Sequence, residues 1–575
     1  MSVLSEKLRL LATATGGIQK LRELILELAV RGRLAQQNSD DEPAEELLKR
    51  IARDRALLQV EGNCKQSKPV PTVDEGDRPF DVPETWRWIR FAQLAPEFQN
   101  GESSRGAVSG IETVVLRLAD ISNGEISMAD TRSVILPESS ISKYQLLKND
   151  LLVVRVNGST EIVGRFLLND KNLDAIYCDH FIRIRVKESF LSHQFLRLIG
   201  DAPLIRRQVE SSFVTTAGQK TVNQGHISNL ILPLPPLAEQ YRIVTTVSEL
   251  MALCDRLEAE QADAEFAHSK LVEALLGTLT QSGDAQTFAE NWNDIAEHFD
   301  TLFTTDSSID ALKQAILQLA VMGKLVPQNH EDEPAGELLK QISHERMRLA
   351  NLGENKVPKR LPSISIEEAT FAAPKGWEWV KLGTVVELIN GDRSKNYPNR
   401  EEYVSTGVPW INTGHIQPDG TLTQERMHFI TRQKFNSLRS GKIKPDDLVY
   451  CLRGATFGKT AFVTPYSEGA IASSLVIMRP CLPALKDFLF IYLTSPFGRS
   501  QILRFDNGSA QPNLSANSVT LYALPIPPLA EQHRIVAKVN ELMSLCSQLK
   551  ADLTASRSCH EHLASTLVDL ALMGP

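Results

Sequence analysis

The sequence lacks the features of a membrane protein or a secreted protein. Among its 575 residues, no apolar run approaches the roughly 18 consecutive residues that a membrane span requires. The segment that starts at Met1 has no basic stretch followed by an apolar core, which is the pattern of a signal peptide. We therefore expect a soluble, cytoplasmic protein without a membrane partner.

Metal-binding and disulfide patterns are also missing. The chain has seven cysteines, which form no Cys-x-x-Cys pair. They are Cys64, Cys178, Cys254, Cys451, Cys481, Cys546 and Cys559. His560 and His562 lie near Cys559, but on a helix they point to different faces and favour solvated side chains over metal ligands. This pattern predicts neither a disulfide framework nor a metal site.

Sequences that mark a catalytic site are absent as well. Gly454–Thr460 is one residue short of a P-loop, and phosphate binding depends on the length of that loop. No Asn-Pro-Pro-Tyr or Asp-Pro-Pro-Tyr sequence, which amino-methyltransferases use to hold a flipped adenine, occurs in the chain. A Gly-x-Gly pocket for the methyl donor is missing too. We expect no active site and no bound cofactor in this chain.

What the sequence does contain is an internal repeat with an offset of 291 to 292 residues. Leu232–Val244, which reads LPLPPLAEQYRIV, returns as Leu524–Val536, which reads LPIPPLAEQHRIV. Ile25–Leu34 returns as Ile316–Leu325. Three further residues repeat, as Pro83, Trp86 and Trp88 return as Pro374, Trp377 and Trp379. Each half of the chain is therefore one complete unit.

Two stretches inside this repeated frame have diverged, at 101–230 and 391–522. The net charge of the chain is −8, which argues against an independent high-affinity nucleic-acid binder, because such proteins neutralise phosphates with Lys and Arg. The divergent stretches are nearly neutral to slightly positive, so the acidic residues lie mainly in the frame. If DNA is bound, a partner supplies part of the positive surface.

Local patterns predict an α+β protein whose halves have the same order of parts. Leucine and isoleucine at helical spacing indicate hairpins, short β-rich runs between turns indicate mixed domains, and Pro-Pro blocks an earlier start of each long helix. The predicted parts are a helical hairpin (1–60), a mixed domain (80–236), a long helix (237–280), a second hairpin (290–350), a second mixed domain (371–528) and a second long helix (529–575).

Each long helix carries apolar residues at steps of three and four, which is typical of a coiled-coil seam. The seam residues are Ile243, Val247, Leu250, Cys254 and Leu257 in the first helix and Ile535, Val539, Leu542, Cys546 and Leu549 in the second. Extended in phase, the seam reaches Gln261, Ala264, His268, Leu271 and Leu275, and Ser556, His560, Leu563, Leu567 and Leu570. We expect an antiparallel coiled coil with pseudo-twofold symmetry. Two ordinary core helices in separate domains are the alternative.

These motifs resemble the specificity subunits of type I restriction-modification systems. In that family, divergent target-recognition domains end in a Leu-Pro-x-Pro-Pro-Leu-x-Glu-Gln sequence that leads into a helix. The second mixed domain also resembles the family's layout at Asn390–Lys395, Gly407–Ile416 and Asp447–Lys459. The first domain departs from it, because an insertion separates the two glycines within Asp150–Arg165. The added hairpins resemble those of a longer subfamily.

The resemblance implies a non-catalytic subunit that binds double-stranded DNA. Each recognition domain would read one half of a bipartite, asymmetric site, and the helices would set the spacer. Two methyltransferase subunits would dock on the repeated surfaces, and motor-nuclease subunits would join for cleavage. S-adenosylmethionine, ATP and Mg are then expected on the partners. A fused methyltransferase or nuclease, and a coiled-coil scaffold that does not touch DNA, are the alternative functions.

Candidate DNA-binding residues follow from the chemistry of base and phosphate recognition. Arg suits guanine, Asn and Gln suit adenine, and Lys, Arg and small polar residues bind phosphates. In the first domain the candidates are Arg105, Arg155, Asn157, Ser159, Thr160, Arg165, Gln219, Lys220, Thr221 and Asn223. In the second they are Arg393, Ser394, Lys395, Asn412, Thr413, Arg453, Thr456, Lys459, Gln511 and Asn513. For each of them, a solvated loop or turn is the alternative interpretation.

Overall fold

The computed structural model divides the chain into two compact units, which are residues 1–263 with 556–575, and residues 264–555. It describes residues 11, 14, 16–60, 70–103, 109–122, 124–216, 218–283, 285–352, 360–453, 457–505 and 514–573. In this described part, no helix combines the length and the apolar character that crossing a membrane requires. The mixed α+β class predicted from the sequence is confirmed by this architecture.

The first unit joins a helical hairpin to a mixed domain. Its helices are α1 (Gly17–Val30), α2 (Ala44–Val60), α3 (Glu138–Tyr144), α4 (His193–Asp201), α5 (Pro203–Ser211) and α6 (Gln224–Ser228), and α7 (Leu237–Gln281) begins in it. Its strands are β1 (Arg87–Arg90), β2 (Glu97–Asn100), β3 (Ile111–Leu116), β4 (Ile121–Ser122), β5 (Glu125–Ile126), β6 (Arg132–Leu136), β7 (Leu151–Val154), β8 (Val156–Asn157), β9 (Phe166–Leu168), β10 (Ala175–Tyr177), β11 (Phe181–Arg185), β12 (Val214–Thr216), β13 (Gln219–Thr221) and β14 (Ile231–Leu234).

The second unit repeats this plan. Its helices are α8 (Ala285–Glu297), α9 (Phe299–Leu302), α10 (Asp306–Val321), α11 (Ala335–Asn351), α12 (Arg432–Ser437), α13 (Lys486–Thr494), α14 (Pro496–Leu503) and α15 (Ala516–Thr520), and α16 (Leu529–Met573) begins in it. Its strands are β15 (Glu378–Lys381), β16 (Val386–Asn390), β17 (Tyr403–Val404), β18 (Val408–Ile411), β19 (His428–Ile430), β20 (Lys442–Ile443), β21 (Leu448–Cys451), β22 (Thr460–Phe462), β23 (Gly469–Ile471), β24 (Leu475–Pro480) and β25 (Ala523–Ile526).

The four-stranded sheet and the two-stranded ribbon correspond strand by strand in the two mixed domains, whereas a second sheet has three strands in the first domain and five in the second. A four-stranded antiparallel sheet has the order β2-β11-β7-β9 in the first domain and β16-β24-β21-β22 in the second. This second sheet contains one parallel pair, which is β10 with β3 in the first domain and β23 with β18 in the second. A two-stranded ribbon, β1 with β14 or β15 with β25, links the start of each domain to its end. The divergent sequences therefore share one fold.

The repeated Leu-x-Glu-Gln motif forms a buried joint at the start of each long helix. Trp86 Nε1 donates to Glu239 Oε2 at 2.9 Å, and Gln37 donates to the other carboxylate oxygen. Gln240 accepts from the Ser192 amide at 2.8 Å and donates to the Pro235 carbonyl at 3.0 Å. Burial raises the pKa of the Glu239 carboxyl, although the indole and amide donors oppose that rise. The motif thus fixes the hairpin, the ribbon and the long helix to one another.

The seam residues near the start of each long helix are buried in the core of their own unit. Ile243, Val247 and Cys254 lie in a cluster with residues of α1, including Leu21 and Ile25. Arg22 of α1 strengthens this contact, donating to Asp255 at 2.7 Å and to Glu258 at 2.9 Å. In the second unit, Ile535, Val539 and Cys546 lie in the corresponding cluster with α10. The hairpin helix of the same unit is therefore one neighbour of each seam.

The in-phase extension of the first seam is wrong at three of its five residues, while His268 and Leu275 are half-buried. Gln261, Ala264 and Leu271 are exposed, whereas Val272 and Leu276 are buried. Val272 lies 18 residues after Cys254, which is five turns of a straight helix at 3.6 residues per turn. A supercoiled heptad repeat at 3.5 residues per turn would have placed the next seam residue at 271. The buried stripe thus follows a straight helix.

The second seam shows the same change of phase. Ser556, His560, Leu563 and Leu570 are exposed, whereas Ala564 is buried against residues of α1 in the first unit. Lys20 of α1 donates to Ser565 Oγ at 2.8 Å, and Arg33 donates to the Leu572 carbonyl at 3.1 Å. In the second unit, Lys324 takes the position of Arg33 and donates to the Thr280 carbonyl at 3.1 Å. Each hairpin helix thus contacts segments of both long helices.

Candidate nucleic-acid interface

In the second mixed domain, three groups of predicted residues follow the carboxyl ends of β16, β18 and β21. Hydrogen bonds hold these ends together around the end of β23. The Ala472 amide donates to the Ile411 carbonyl at 2.7 Å, and the Leu452 amide donates to the Ser474 carbonyl at 2.9 Å. A Cβ atom on Gly391 would lie 2.7 Å from the Ala472 carbonyl oxygen, so glycine permits the close approach of the β16 end. The loops therefore converge on one edge.

The loop after β16 is fixed by a buried carboxylate. Asp392 is 3% exposed, and its two oxygens accept from the amides of Ser394 and Arg439, each at 2.6 Å. Burial alone would raise the pKa of Asp392, but these donors outweigh it and lower that pKa below its ordinary value. The turn holds Ser394 half-buried and leaves Arg393 and Lys395 exposed. These two cations suit phosphate or base contacts.

Asn412 and Thr413 begin a short helical turn after β18. Asn412 Oδ1 accepts from the Gly414 amide at 2.8 Å, and the Asn412 amide donates to His415 Nδ1 at 3.1 Å. Burial, followed by the neighbouring His428, lowers the pKa of His415 to about 4, so His415 is neutral at physiological pH. The turn therefore holds the backbone amide and the side chain of Asn412 by uncharged contacts.

The remaining predicted residues of this domain lie on the loop between β21 and β22 or outside the described part. Arg453 and Lys459 are both exposed at the two sides of that loop, where the Cys451 amide donates to the Lys459 carbonyl at 2.9 Å. Thr456, Gln511 and Asn513 lie outside the described residues. The structure thus brings the seven described candidates of the second domain to one edge of the fold.

The first domain has the same convergence of strand ends. The Glu102 amide donates to the Tyr177 carbonyl at 2.9 Å, the Cys178 amide to the Leu116 carbonyl at 3.0 Å, and the Arg155 amide to the His180 carbonyl at 2.7 Å. These bonds join the ends of β2, β3, β7 and β10. Arg105, predicted in the loop after β2, lies outside the described residues.

Two separate groups of predicted residues meet at this edge. Strand β13 carries Gln219, Lys220 and Thr221 and pairs with β8, so that Lys220 lies opposite Asn157. The Lys220 ammonium donates to the Gly158 carbonyl at 3.1 Å. This pairing joins residues more than 60 positions apart in the sequence.

Several of these predicted side chains also have structural contacts. Asn157 Oδ1 accepts from the Ser159 amide at 2.9 Å, and Arg155 Nη1 donates to the Asp179 carbonyl at 3.2 Å. Arg165 Nε donates to the Glu161 carbonyl at 2.7 Å. Asn223 caps α6, where its Oδ1 accepts from the His226 amide at 2.9 Å. Thr160 is exposed. A structural role in a turn, which was the alternative to DNA binding, thus accounts for part of the role of Asn157 and Asn223.

Sequence reasoning missed the residues on β6 and at the end of β3. Together with the end of β10 they line an open cavity of about 790 Å³. Its polar lining comprises Glu102, Ser103, Arg117, Arg132, Asp179 and His180. Arg117 could have been found by aligning Leu116–Asp120 with Ile411–His415. Arg132 has no local signal, because it reaches this edge only through the pairing of β6 with β3.

One group of described side chains has the spacing of a metal site. The ligand atoms of Cys178, Asp179 and His180 lie within 4.8 Å of one another. Burial raises the pKa of the Cys178 thiol, which favours the protonated form that binds metals poorly. Arg117 lines the same cavity and adds a positive charge. These residues are better suited to a polar rim than to a cation site.

Comparison with known proteins relates both mixed domains to one family. A family model described as the type I restriction modification DNA specificity domain matches residues 112–265 and 374–556. The type I restriction enzyme EcoAI specificity subunit of Escherichia coli is 34% identical to this chain over 589 residues, covering 97% of this chain and 94% of the relative. The EcoEI specificity subunit of Escherichia coli is 33% identical over 591 residues, with the same coverage of 97% and 94%.

A solved structure is similar over most of its length. The crystal structure of the HsdS subunit from Thermoanaerobacter tengcongensis matches 86% of this chain and 98% of that chain, with 18% sequence identity and a TM-score of 0.42.

Proposed function

This chain belongs to the family of type I restriction-modification specificity subunits, and from that premise we propose that each recognition domain reads one half of a bipartite DNA site. One observation carries the proposal: both domains gather polar loops at equivalent strand ends, but the residues on those loops differ. A shared fold gives the two domains the same way of docking on the duplex. Unlike side chains give them different base preferences, so the site is asymmetric.

The chemistry of the converging loops suits the major groove. The groove is about 12 Å wide and presents a distinct pattern of donors and acceptors for each base pair. Exposed Arg393, Lys395 and Arg453 offer donors in the second domain, and Lys220 and Arg165 offer them in the first. The cations on the loop margins position the phosphates, while the central residues contact the bases.

We propose that the long helices run antiparallel and set the spacer between the half-sites. Each helix has 45 residues, which corresponds to about 67 Å at 1.5 Å per residue. Residues 264–281 of α7 belong to the unit of the second recognition domain, and residues 556–573 of α16 belong to the unit of the first. Within each unit, the hairpin helix α1 or α10 supplies a packing partner for the long helices.

The partners follow from the same proposal. The repeated hairpins and long helices provide two near-equivalent surfaces for two methyltransferase subunits, which bind S-adenosylmethionine and modify adenine. Motor-nuclease subunits, which need ATP and Mg, join this assembly for cleavage. The chain itself contributes no catalytic group, and it acts in the cytoplasm, where its DNA substrate and partners are found.

A domain exchange tests this function. The full chain, with residues 101–230 replaced by the recognition stretch of another specificity subunit, would be expressed with its methyltransferase partner, and methylated adenines would be mapped. We expect one half-site to change while the other half and the spacer persist. A change in both halves, or in neither, would refute independent reading. If the complex shifts specific and random duplexes equally in an electrophoretic assay, the scaffold alternative is correct.

A further inference from the structure

The two recognition domains place a different side chain at one equivalent position, on the strand that pairs with β3 in the first domain and with β18 in the second. In the first domain, β6 pairs with β3, and Arg132 lies opposite Val115. In the second domain, β19 pairs with β18, and His428 lies opposite Trp410. Both partners precede the last residue of their strand by one position. Arg132 and His428 are therefore structurally equivalent, although their sequences do not align.

The turns that follow these central strands confirm the equivalence. In the first domain, the Arg117 amide donates to Asp120 Oδ2 at 2.7 Å. In the second, the Asn412 amide donates to His415 Nδ1 at 3.1 Å. Each turn is a short helical turn whose fourth residue closes back on its first. The pair of Arg117 and Arg132 in the first domain thus corresponds to the pair of Asn412 and His428 in the second.

The hydrogen bonds of Asn412 determine the tautomer of His428. Because Asn412 Oδ1 accepts from the Gly414 amide, the Nδ2 amide group faces His428 Nδ1 at 3.2 Å. An amide NH₂ only donates, so Nδ1 must be the acceptor and Nε2 carries the proton. The ring stacks on Tyr403 with a centroid distance of 4.9 Å and an angle of 25°. His428 is exposed, and it thereby offers one oriented N–H donor.

Arg132 offers a different donor set at the equivalent position. It is exposed and lines the cavity of about 790 Å³ together with Arg117. Arg117 is held by Asp120 and by the Asp130 carbonyl, each at 2.8 Å. Among the described residues, no hydrogen bond or ion pair engages the guanidinium of Arg132. Its forked donors match the N7 and O6 acceptors of guanine in the major groove.

We infer that Arg132 and His428 are specificity-determining residues that read one base pair at equivalent places in the two half-sites. Arg132 donates two hydrogen bonds to a guanine, and His428 Nε2–H donates one hydrogen bond to a single base acceptor. This assignment rests on the proposed function. It predicts that one position of each half-site depends on one side chain, and that the two positions demand different bases.

Substitutions in the full chain, expressed with its methyltransferase partner, test the assignment by mapping methylated adenines. Arg132→Gln is expected to relax one position of the first domain's half-site, with discrimination there falling about 5- to 100-fold. His428→Phe keeps the stack on Tyr403 and removes the N–H. It should relax one position of the other half-site by about 5-fold, because one hydrogen bond is lost. His428→Arg should introduce a preference for guanine at that position.

Matched controls separate base reading from charge and from folding. Lys171→Gln and Lys444→Gln each alter an exposed cation that precedes β10 or β21, on the side away from the converging loops, and should leave the motif unchanged. The half-site read by the unmutated domain reports correct folding within the same experiment. If the motif stays intact in both Arg132→Gln and His428→Phe, or if methylation falls uniformly at all sites, the assignment is wrong. The domain exchange would still change one half-site in that case, so the proposed function would stand.

Discussion

The joint at the start of each long helix is nearly identical in the two units, whereas the strand-end surfaces differ. Trp377 Nε1 donates to Glu531 Oε2 at 3.0 Å, and Gln328 donates to Glu531 Oε1 at 2.7 Å, as Trp86 and Gln37 do for the buried carboxylate of the first unit. Few residue types can replace the neighbours of a buried carboxylate, because every donor and acceptor around it must be satisfied. Exposed loop residues carry no such constraint and are free to diverge with the DNA target.

The hairpin helices show a smaller difference of the same kind. In the second unit, an open groove of about 650 Å³ lies beside Ala311 and Gln318 of α10. In the first unit, Lys20 and Glu27 hold the equivalent positions. Lys20 reaches across to the Glu561 carbonyl at 3.2 Å, and Glu27 pairs with Arg207 at 3.1 Å. The frame is thus repeated in its buried parts and varies where side chains are partly solvated.

The largest expected effect concerns the spacing between the half-sites. Deleting 260–266 from α7 and 554–560 from α16 removes seven residues where each helix passes from one unit to the other. At 1.5 Å per residue this shortens each helix by about 10 Å, or about three base pairs of B-form DNA. Mapping methylated adenines should reveal a shorter preferred spacer with unchanged half-site bases. Methylation at the original spacing would contradict the role of the helices as a ruler.

The second prediction tests whether the two joints are equivalent. Glu239→Ala and Glu531→Ala each leave a buried indole N–H and an amide N–H without an acceptor, so each should lower the free energy of unfolding by about 2 to 4 kcal/mol. Urea denaturation of the full chain measures both losses. Glu249→Ala, at an exposed position on α7, is the control and should cost less than about 0.5 kcal/mol. A large loss in only one unit would show that the joints are not equivalent.

The third prediction separates the units by their response to acid. Glu368 is 13% exposed and binds both Lys381 and Arg504 in the second unit. Burial alone would raise its pKa, but Lys381, the Ser365 amide and Arg504 lower the pKa of Glu368 to about 2. At this place in the first unit, the ion pair found among the described residues joins Arg90 to the half-exposed Asp77.

Because the folded pKa lies below the ordinary value of 4.5, the stabilisation is complete above that pH and is lost as the pH falls towards 2. The loss should reach at most about 3 kcal/mol. Between pH 5 and pH 2, the free energy of unfolding should fall more steeply in the wild type than in Glu368→Gln. The same pH dependence in both proteins would disprove that ionised Glu368 stabilises the second unit. Asp77→Asn is the matched variant of the first unit.

The smallest expected effect concerns the groove. Lys20→Ala removes the contacts to Ser565 and Glu561 and makes the first unit resemble the second, at a cost below about 1 kcal/mol because the contact is partly solvated. Ala311→Lys is the reciprocal change and should be neutral within about 0.5 kcal/mol. Thermal unfolding of both variants measures the difference. A loss well above 1 kcal/mol for Lys20→Ala would mean that the first unit depends on this lysine.

The candidate site could be predicted in part. The loops after β16, β18 and β21 were found because their sequences resemble the family's layout, and the polar residues of Gln219–Asn223 were found by their composition. The meeting of Lys220 with Asn157 was not predictable, because it depends on strand pairing across more than 60 residues. Arg132 and His428 were missed for the same reason, since each lies on a neighbouring strand whose register follows from the whole sheet.

The sequence alone determined the duplication, the α+β class, the family and the starts of the long helices at Leu237 and Leu529, because each follows from local periodicity, Pro-Pro punctuation or repeated motifs. Tertiary structure decided what those helices pack against. An apolar stripe indicates that a helix face is buried, but any complementary apolar surface can cover that face. The stripe therefore did not reveal that α1 and α10 are the neighbours, nor that burial follows a straight helix with 3.6 residues per turn.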